Sequence, residues 1–484
     1  MSKAQLIEKA KKHLPELSGF EQGLIERAYD AGAKAHKGQK RENGDDYFVG
    51  HCVHVAEHIL ELGMDATLVA AALLHDTIED TKVTAADLEK EFGAEIANLV
   101  EGVSKLGKIK YHGNERHVES LRKFFISVAQ DVRVVILKLA DRWHNLETLE
   151  FLSIEKQHRI ALESIMIHAP LASRLGMGKL VVIINDLAFP FAYPEEFKRT
   201  KDIRDTRLSN ADATVTKMYR NLSVELTEAL GYTPQIDKRV KGMFSLYKKL
   251  ERKKWNIDEI YDLVALRAIV KTVPECYQAL GAIHAHWRPV PGRVKDYIAV
   301  PKPNGYQSLH TAVFSGDGPI VEMQLRTEEM HDFNEFGIAS HHNYKNSSNG
   351  GGAGESFAWI QQLRLFQNAD VSPSDYLKRL RTDFFQDRIF VFTPKGDVID
   401  LPIGATVLDF AYAVHTQVGE HASGGKINGK YMALKSPLKS EDIVEIVTNP
   451  KAHPTDKWLE YCVTSNAIGR IRRYVKKVSS VYEN

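Results

Sequence analysis

Cysteine is scarce in this chain of 484 residues: Cys52, Cys276 and Cys462 are its three, and they lie far apart. That excludes a disulfide framework and a Cys-based zinc site. Net charge is almost absent, since 64 Lys and Arg against 63 Asp and Glu leave +1. Nothing therefore steers the whole molecule toward nucleic acid, and any attraction for phosphate must be local. Long apolar runs are missing too; none approaches the ~20 residues that a membrane span needs. The opening Met1-Ser2-Lys3-Ala4-Gln5 lacks the apolar core of a signal peptide. A soluble, cytoplasmic chain with no membrane contact is expected, and its length suggests about three domains, each able to bury a core.

Up to about Asn185 the periodicity is helical. Leu68, Val69, Ala72 and Leu73 repeat at helical spacing, as do Val134, Val135, Leu137, Leu139 and Ala140. The stretch from Gly38 to Gly50 reads as a loop. A polar, charged segment near Lys198–Asn210 leads into a different composition, where strand-like runs between Asp262 and Arg326 alternate with Gly/Pro-rich turns and suggest an α/β unit. Asn346–Glu355 (NSSNGGGAGE) is a flexible linker by composition, with helical residues around Phe357–Leu380 behind it. Arg388–Phe392 and Asp397–Leu401 flank a Thr-Pro-Lys-Gly turn and predict a hairpin. A short helix over Thr406–His415 and a closing strand over Glu441–Thr448 complete a small β-grasp-like module.

Two groups of residues carry chemistry. The first is His75-Asp76-Thr77-Ile78-Glu79-Asp80 at the end of an apolar helix. Residues four apart on a helix share a face, so Glu79 is expected over His75 and Asp80 over Asp76. Asp141-Arg142-Trp143-His144-Asn145 repeats the device, with Asp141 and Asn145 on one face, and His51 begins another helix after the loop. Two imidazoles with two carboxylates suit Mn, Fe or Zn, and the oxygens tilt the set toward harder ions. Such an ion would lower the pKa of its water and polarise a phosphoryl oxygen, as hydrolysis of a phosphate ester requires. Glu79 and Asp80 exceed the ligand set and are candidates for general acid–base work. A single His-Asp pair on a helix is ordinarily a hydrogen-bonded core or surface pair; the ordered set His51…His75-Asp76…Glu79-Asp80…Asp141…Asn145 is what shifts the balance.

The second group lies on strands. Val321–Arg326 alternates strictly, so Glu322, Gln324 and Arg326 share one face and Val321, Met323 and Leu325 the other. Asp262 opens an otherwise apolar strand, where an acid can hold Mg²⁺ while substrate phosphates fill the remaining positions. Lys241, Ser245, Lys248 and Arg252 are expected on one helical face, with Met243, Leu246, Tyr247 and Leu250 on the other. A cationic stripe of this kind is ordinarily a solvated helix face, but it can also gather triphosphate oxygens. In the loop that follows, Tyr306 is placed to stack on a purine while Asn304 and Gln307 read its edge.

The motifs RVKDYIAVPKPNGYQSLHT and VEMQLRT resemble those of the RelA/SpoT-type alarmone synthetases, and the ordered pattern H…HD…D resembles the HD phosphohydrolases. Nearly the full length resembles a long bifunctional synthetase-hydrolase of guanosine tetra- and pentaphosphate. The fold this implies is multidomain: an all-α HD-type hydrolase domain (1–185), an α/β (α+β, nucleotidyltransferase-like) synthetase domain (186–345), a linker and connecting helix (346–385), a small β-grasp TGS domain (386–449) and the start of a helical region (450–484).

The resemblance also implies roles. His51, His75, Asp76 and Asp141 match the ligands of a hydrolase metal, commonly Mn²⁺; Glu79 and Asp80 match catalytic acids, and Asn145 a nucleotide contact. Asp262 and Glu322 match the positions that bind Mg²⁺ and activate the ribose 3′-OH. Arg239, Lys241, Ser245, Lys249 and Lys295 match residues around ATP, Tyr306 the guanine-stacking position, and Asn304 and His310 acceptor-side contacts, with Gln307 and Gln324 beside them. The substrates and products implied are ATP, GDP, GTP, ppGpp and pppGpp. In the TGS segment His415 matches a position that contacts the 3′ end of uncharged tRNA on the ribosome.

Three departures are notable. Gly50 precedes His51 and Cys52 stands where the family usually has proline, so a reshaped loop is expected; His342 replaces the usual tryptophan; and the chain stops at Asn484 without the zinc-finger-like and ACT modules of long members. Because both residue sets are complete, both activities are expected, with helices between Val134 and Asn185 coupling them. A hydrolase-only enzyme with a degenerate nucleotide sensor, or a TGS-led binding protein, would not need Asp262 and Glu322 intact.

Overall fold

The computed structural model describes residues 1–107, 131–260, 263–302, 304–316, 319–340, 388–440 and 442–482. These fall into two compact units, one within residues 1–340 and one within 388–482. Asp262, the linker at 346–355, the helical segment expected at 357–380 and His342 lie outside the described residues.

The first unit opens with helices α1 (Lys3–His13), α2 (Gly19–Ala35), α3 (Val53–Glu61), α4 (Ala66–Leu74), the single turn α5 (Thr77–Asp80), α6 (Ala85–Phe92) and α7 (Ala94–Gly107), followed by α8 (Arg133–Glu147), α9 (Ile154–Glu163), α10 (Ala169–Arg174), α11 (Gly178–Ala192) and α12 (Pro194–Leu230). Helix α4, ATLVAAALL, is apolar all round, and nearly all of it is buried. A helix without a polar face has to be central. A glycine on its neighbour lets the two helices come close: a Cβ on Gly32 of α2 would meet the Leu73 carbonyl oxygen at 2.7 Å.

The helix ends where its own side chains compete for its carbonyls. His75 Nδ1 bonds Ala72 O at 2.8 Å and Thr77 Oγ1 donates to Leu74 O at 2.6 Å, taking acceptors that a continuing helix would use. Asp76 (φ −95, ψ −3) then caps α5. The continuous helix expected through Asp80 is thus two pieces. The loop expected to run to Gly50 ends earlier, in a π-helical turn over Phe48–Cys52 that leads straight into α3.

The charged stretch at 198–210 is not a boundary. It lies inside α12, whose 37 residues start with proline at the first turn and end at Gly231 in the left-handed region, as helix preferences dictate. Helix α11 likewise runs across residues 185 and 186.

Behind α12 come β1 (Gln235–Val240), α13 (Met243–Arg252), β2 (Val264–Val270), α14 (Val273–His286), β3 (Lys295–Asp296), β4 (Leu309–Val313), β5 (Val321–Thr327) and α15 (Glu328–Phe336). The sheet order is β1-β2-β5-β4-β3, with β2 and β5 parallel and the other pairs antiparallel. Its apolar face, including Leu266, Ala268, Val270, Leu309, Val313, Val321, Met323 and Leu325, packs on Cys276, Ala279 and Ile283 of α14 and on Val215, Met218, Leu222 and Leu226 of α12. Lys241 differs from its expected place: Gly242 caps α13, and Lys241 precedes the helix, its N–H bonded to Leu263 O at 2.9 Å.

The second unit has the hairpin β6 (Arg388–Phe392) and β7 (Val398–Pro402), α16 (Val407–Val414), α17 (Thr416–Glu420), β8 (Ala422–Ile427), β9 (Lys430–Met432), β10 (Val444–Thr448) and α18 (Ser465–Tyr482). The closing strand starts at Val444, not at Glu441, which is outside the described residues. A parallel bridge from Phe392 to Ile443 links hairpin and three-stranded sheet around Val391, Val407 and Phe410. No helix among the described residues is long and apolar enough to cross a membrane.

Candidate active sites

In the helical region three segments converge. The π-helical turn supplies His51, the break after α4 supplies His75 and Asp76, and α8 supplies Asp141. His51 Nε2 lies 3.3 Å from both Asp76 Oδ2 and Asp141 Oδ1, while His75 Nε2 is 3.1 and 3.9 Å from the same two atoms. The His75 Nδ1–H is spent on Ala72 O, and its buried Nε2 has no hydrogen-bond partner. Convergent imidazole nitrogen and carboxylate oxygen, with an orphaned buried nitrogen among them, is a donor set that fits a divalent cation. Ligand atoms of His51, His75 and Asp141 all lie within 4.8 Å of one another, and so do those of Cys52, His75 and Asp76. Burial raises the Cys52 thiol pKa, with Asp76 and Asp141 adding to it.

The electrostatics follow from this crowding. Burial opposes charge on His75, but Asp76 and Asp141 outweigh it and lift the imidazole to about 9. Burial likewise opposes ionisation of the two aspartates. His75 and His51 still hold Asp76 well below the ordinary range, and Lys138 with the same histidines holds Asp141 there. Glu79 is pushed up to about 7, by burial first and by Asp76, Asp80 and Asp141 against the pull of Lys138. Tyr47 Oη lies 2.8 Å from Asp76 Oδ2 and 2.9 Å from Asp80 Oδ2, tying a residue of the donor set to a candidate acid. Asn145 Nδ2 donates to Asp141 Oδ1 at 2.6 Å, and Arg41 Nη2 reaches Asn145 Oδ1 and Thr148 Oγ1, each at 3.2 Å.

Tyr47, Arg41, Lys138 and His144 were absent from the sequence-derived set. Helical spacing could have found three of them: Tyr47 stands four residues before His51, and Lys138 and His144 three either side of Asp141. Arg41 comes from the loop and leaves no periodic signal.

On the sheet, register does the gathering. Asp237, Arg267, Gln324, His310 and Lys295 form one row across β1, β2, β5, β4 and β3, and Arg239, Ala265, Glu322 and Ala312 form the row two residues on. The polar face expected of Glu322, Gln324 and Arg326 is therefore present. Glu322 Oε1 accepts from Gln324 Nε2 at 2.7 Å and lies 3.2 Å from His310 Nδ1; His310 Nε2 is 2.8 Å from Tyr306 Oη. Arg239 and Arg326 each donate to Gln324 Oε1 at 3.2 Å. Lys302, beside Tyr297 and Tyr306, is brought down to about 8 by burial and then by Lys295, Lys241 and Arg239 against Glu322.

A cavity of about 320 Å³ next to this cluster is lined by Arg239, Arg267, Tyr306 and Arg326 and by Lys179 of α11. Asn304 faces it, with Nδ2 on Ser173 O at 3.4 Å. Gln307 is committed locally: its side chain donates to Ile298 O, and Asn334 clamps its backbone. Ser245 and Lys249 lie on α13. His415 sits between α16 and α17, where its Nδ1 accepts from Gln417 N–H at 3.3 Å.

Helical metal-type cluster, polar-faced sheet and β-grasp unit together define the class. Family models match in the same order: HD domain over residues 28–178, the region found in RelA/SpoT proteins over 238–349, and TGS domain over 389–448. The chain belongs to the RelA/SpoT family. Among its curated relatives, the guanosine-3′,5′-bis(diphosphate) 3′-pyrophosphohydrolase of Aquifex aeolicus is 42% identical over 471 residues, covering 97% of this chain and 66% of that protein. The GTP pyrophosphokinase of Myxococcus xanthus is 42% identical, covering 96% and 62%. The bifunctional (p)ppGpp synthase/hydrolase SpoT of Escherichia coli K12 is 40% identical, covering 94% and 65%. The chain thus spans just under two thirds of the length of these relatives.

Proposed function

We propose that this chain both makes and degrades (p)ppGpp: it transfers pyrophosphate from ATP to the 3′-OH of GDP or GTP, and hydrolyses the 3′-pyrophosphate to return GDP or GTP. The observation that carries the proposal is the coexistence, in one unit, of a His/Asp cluster fit for a cation and a sheet face where Glu322 stands among cations. The names of the relatives, divided between hydrolase and synthetase, support it.

In hydrolysis, His51, His75, Asp76 and Asp141 would hold the cation, Mn²⁺ by family expectation. A divalent ion there lowers the pKa of bound water and polarises a phosphoryl oxygen. Glu79, with its carboxyl at about 7, can give a proton to the departing ribose O3′ at neutral pH. Asp80 is the second candidate acid, oriented by Tyr47, and Asn145 with Arg41 lines the approach of the nucleotide. In synthesis Glu322 takes the proton of the 3′-OH, which attacks the β-phosphorus of ATP and expels AMP. His310 and Gln324 orient that carboxylate. Asp262 would share Mg²⁺ with Glu322; Arg239, Lys241, Ser245, Lys249 and Lys295 would receive ATP phosphates, and Tyr306 and Asn304 the guanosine. The exposed edge of His415, with Nδ1 occupied by Gln417, is the proposed contact for a tRNA 3′ end. A cytoplasmic location accords with these substrates.

Incubating the purified chain with ATP and GDP, then with guanosine tetraphosphate and Mn²⁺, and separating nucleotides by anion exchange tests both halves. AMP with tetraphosphate, then GDP with pyrophosphate, are the expected products; consumption of neither substrate set would refute the proposal.

A further inference from the structure

The two imidazoles of the cation cluster are held by different means. A histidine offers a lone pair at one ring nitrogen only when the proton is fixed on the other, and a hydrogen bond at the far nitrogen does the fixing. For His75 the acceptor is a backbone carbonyl, Ala72 O, which cannot change its state. For His51 the neighbour is another histidine: His51 Nδ1 lies 2.9 Å from His144 Nδ1, both side chains being nearly fully buried. Two facing ring nitrogens leave the direction of the proton open, since either can donate.

Arg41 closes that choice. Its Nη1 lies 3.3 Å from the same His144 Nδ1, and a guanidinium only donates. His144 Nδ1 must therefore be the bare, accepting nitrogen. The proton between the rings belongs to His51 Nδ1, and the lone pair of His51 is left on Nε2, the atom 3.3 Å from Asp76 and Asp141. The His54 ring, stacked on His144 at 5.2 Å and 11°, holds the accepting ring in plane.

We propose that His144 is a positioning residue of the hydrolase site: acting through a donor relay Arg41→His144←His51, it fixes the tautomer and orientation of the metal ligand His51. The inference rests on the cation reading of the cluster and adds to it a residue that touches neither the cation nor the substrate.

The test is Mn²⁺ binding to the full chain, followed by the loss of the free-ion EPR signal, together with ATP-to-GDP transfer as a check on folding. In His144→Leu the acceptor is gone; in His144→Asn a side-chain oxygen can stand where Nδ1 stood. His144→Leu should weaken Mn²⁺ binding about 10–100-fold, His144→Asn should stay within about threefold of the parent, and transfer should persist in both. Parent-like affinity in His144→Leu, or equal weakening in both variants, would overturn the relay. His75→Ala separates the two levels: if it leaves Mn²⁺ affinity untouched, the cation reading itself falls and takes the relay with it, whereas loss in His75→Ala with none in His144→Leu rejects only the relay.

Discussion

In the helical region the ligand-type side chains come from three separate stretches of chain, one at a π-helical turn, one at a helix break and one in mid-helix. In the sheet region Arg239, Glu322, Gln324 and His310 occupy adjacent rows of a single sheet. The first arrangement buries opposite charges against each other and depends on neighbours that set protonation. The second leaves cations crowded beside a cavity, ready for phosphates. A helix bundle can focus a few groups on one point, suited to an ion; a sheet face spreads them over an area, suited to a nucleotide.

The sharpest way to break this contrast is to remove a focused group. His75→Ala should lower hydrolysis about 10³-fold or more, because the cation's several kcal/mol of stabilisation are lost, with transfer unaffected; comparable losses in both assays would erase the distinction. A second separation lies in pH. His75 must lose its second proton to bind a cation, and with its pKa near 9 the Mn²⁺ affinity should strengthen as pH rises, about tenfold per unit from pH 6 to 8. A flat calorimetric profile would show that His75 is not a ligand.

On the sheet side, Tyr306→Ala should raise the KM for GDP about 10–100-fold, the worth of one base-stacking contact at ~1–3 kcal/mol, without touching hydrolysis. An unchanged KM would remove Tyr306 from the guanosine site. The smallest effect concerns the joint between the regions. Gly337 has φ +56, a Cβ there would overlap the Leu175 carbonyl, and Ile338 N–H bonds that same oxygen at 2.9 Å. Gly337→Ala should cost about 1–3 kcal/mol and lower one shared melting transition in calorimetry. Two transitions, only one of them shifted, would mean that the regions are energetically independent.

How far each site could be read in advance follows from the same geometry. Period two places every second residue of a strand on one face, so the Glu322/Gln324/Arg326 face was legible from six residues of sequence. What that reading missed, such as the clamping of Gln307 by Asn334 or the position of Lys302, depends on loops and on a helix packed across the strands. In the helical region the ordered histidines and aspartates pointed to a cation, but the helix break at His75-Asp76 did not show, because side-chain capture of the Ala72 and Leu74 carbonyls has no periodic trace. The long α12 was obscured by its charge, although its flanking Pro194 and Gly231 mark both ends. Arg41 reaches the cluster from a loop, and only the fold brings it there.

If two chemistries occupy separate sites within one unit, crossed substitution will separate them. Asp76→Asn and Glu322→Gln are each assayed for tetraphosphate hydrolysis with Mn²⁺ and for ATP-to-GDP transfer with Mg²⁺. Asp76→Asn should lose hydrolysis while transfer stays within about threefold, and Glu322→Gln should lose about 10²–10⁴ of transfer, the worth of a general base, while hydrolysis is kept. Loss of both activities in either variant, or of neither in both, would contradict it.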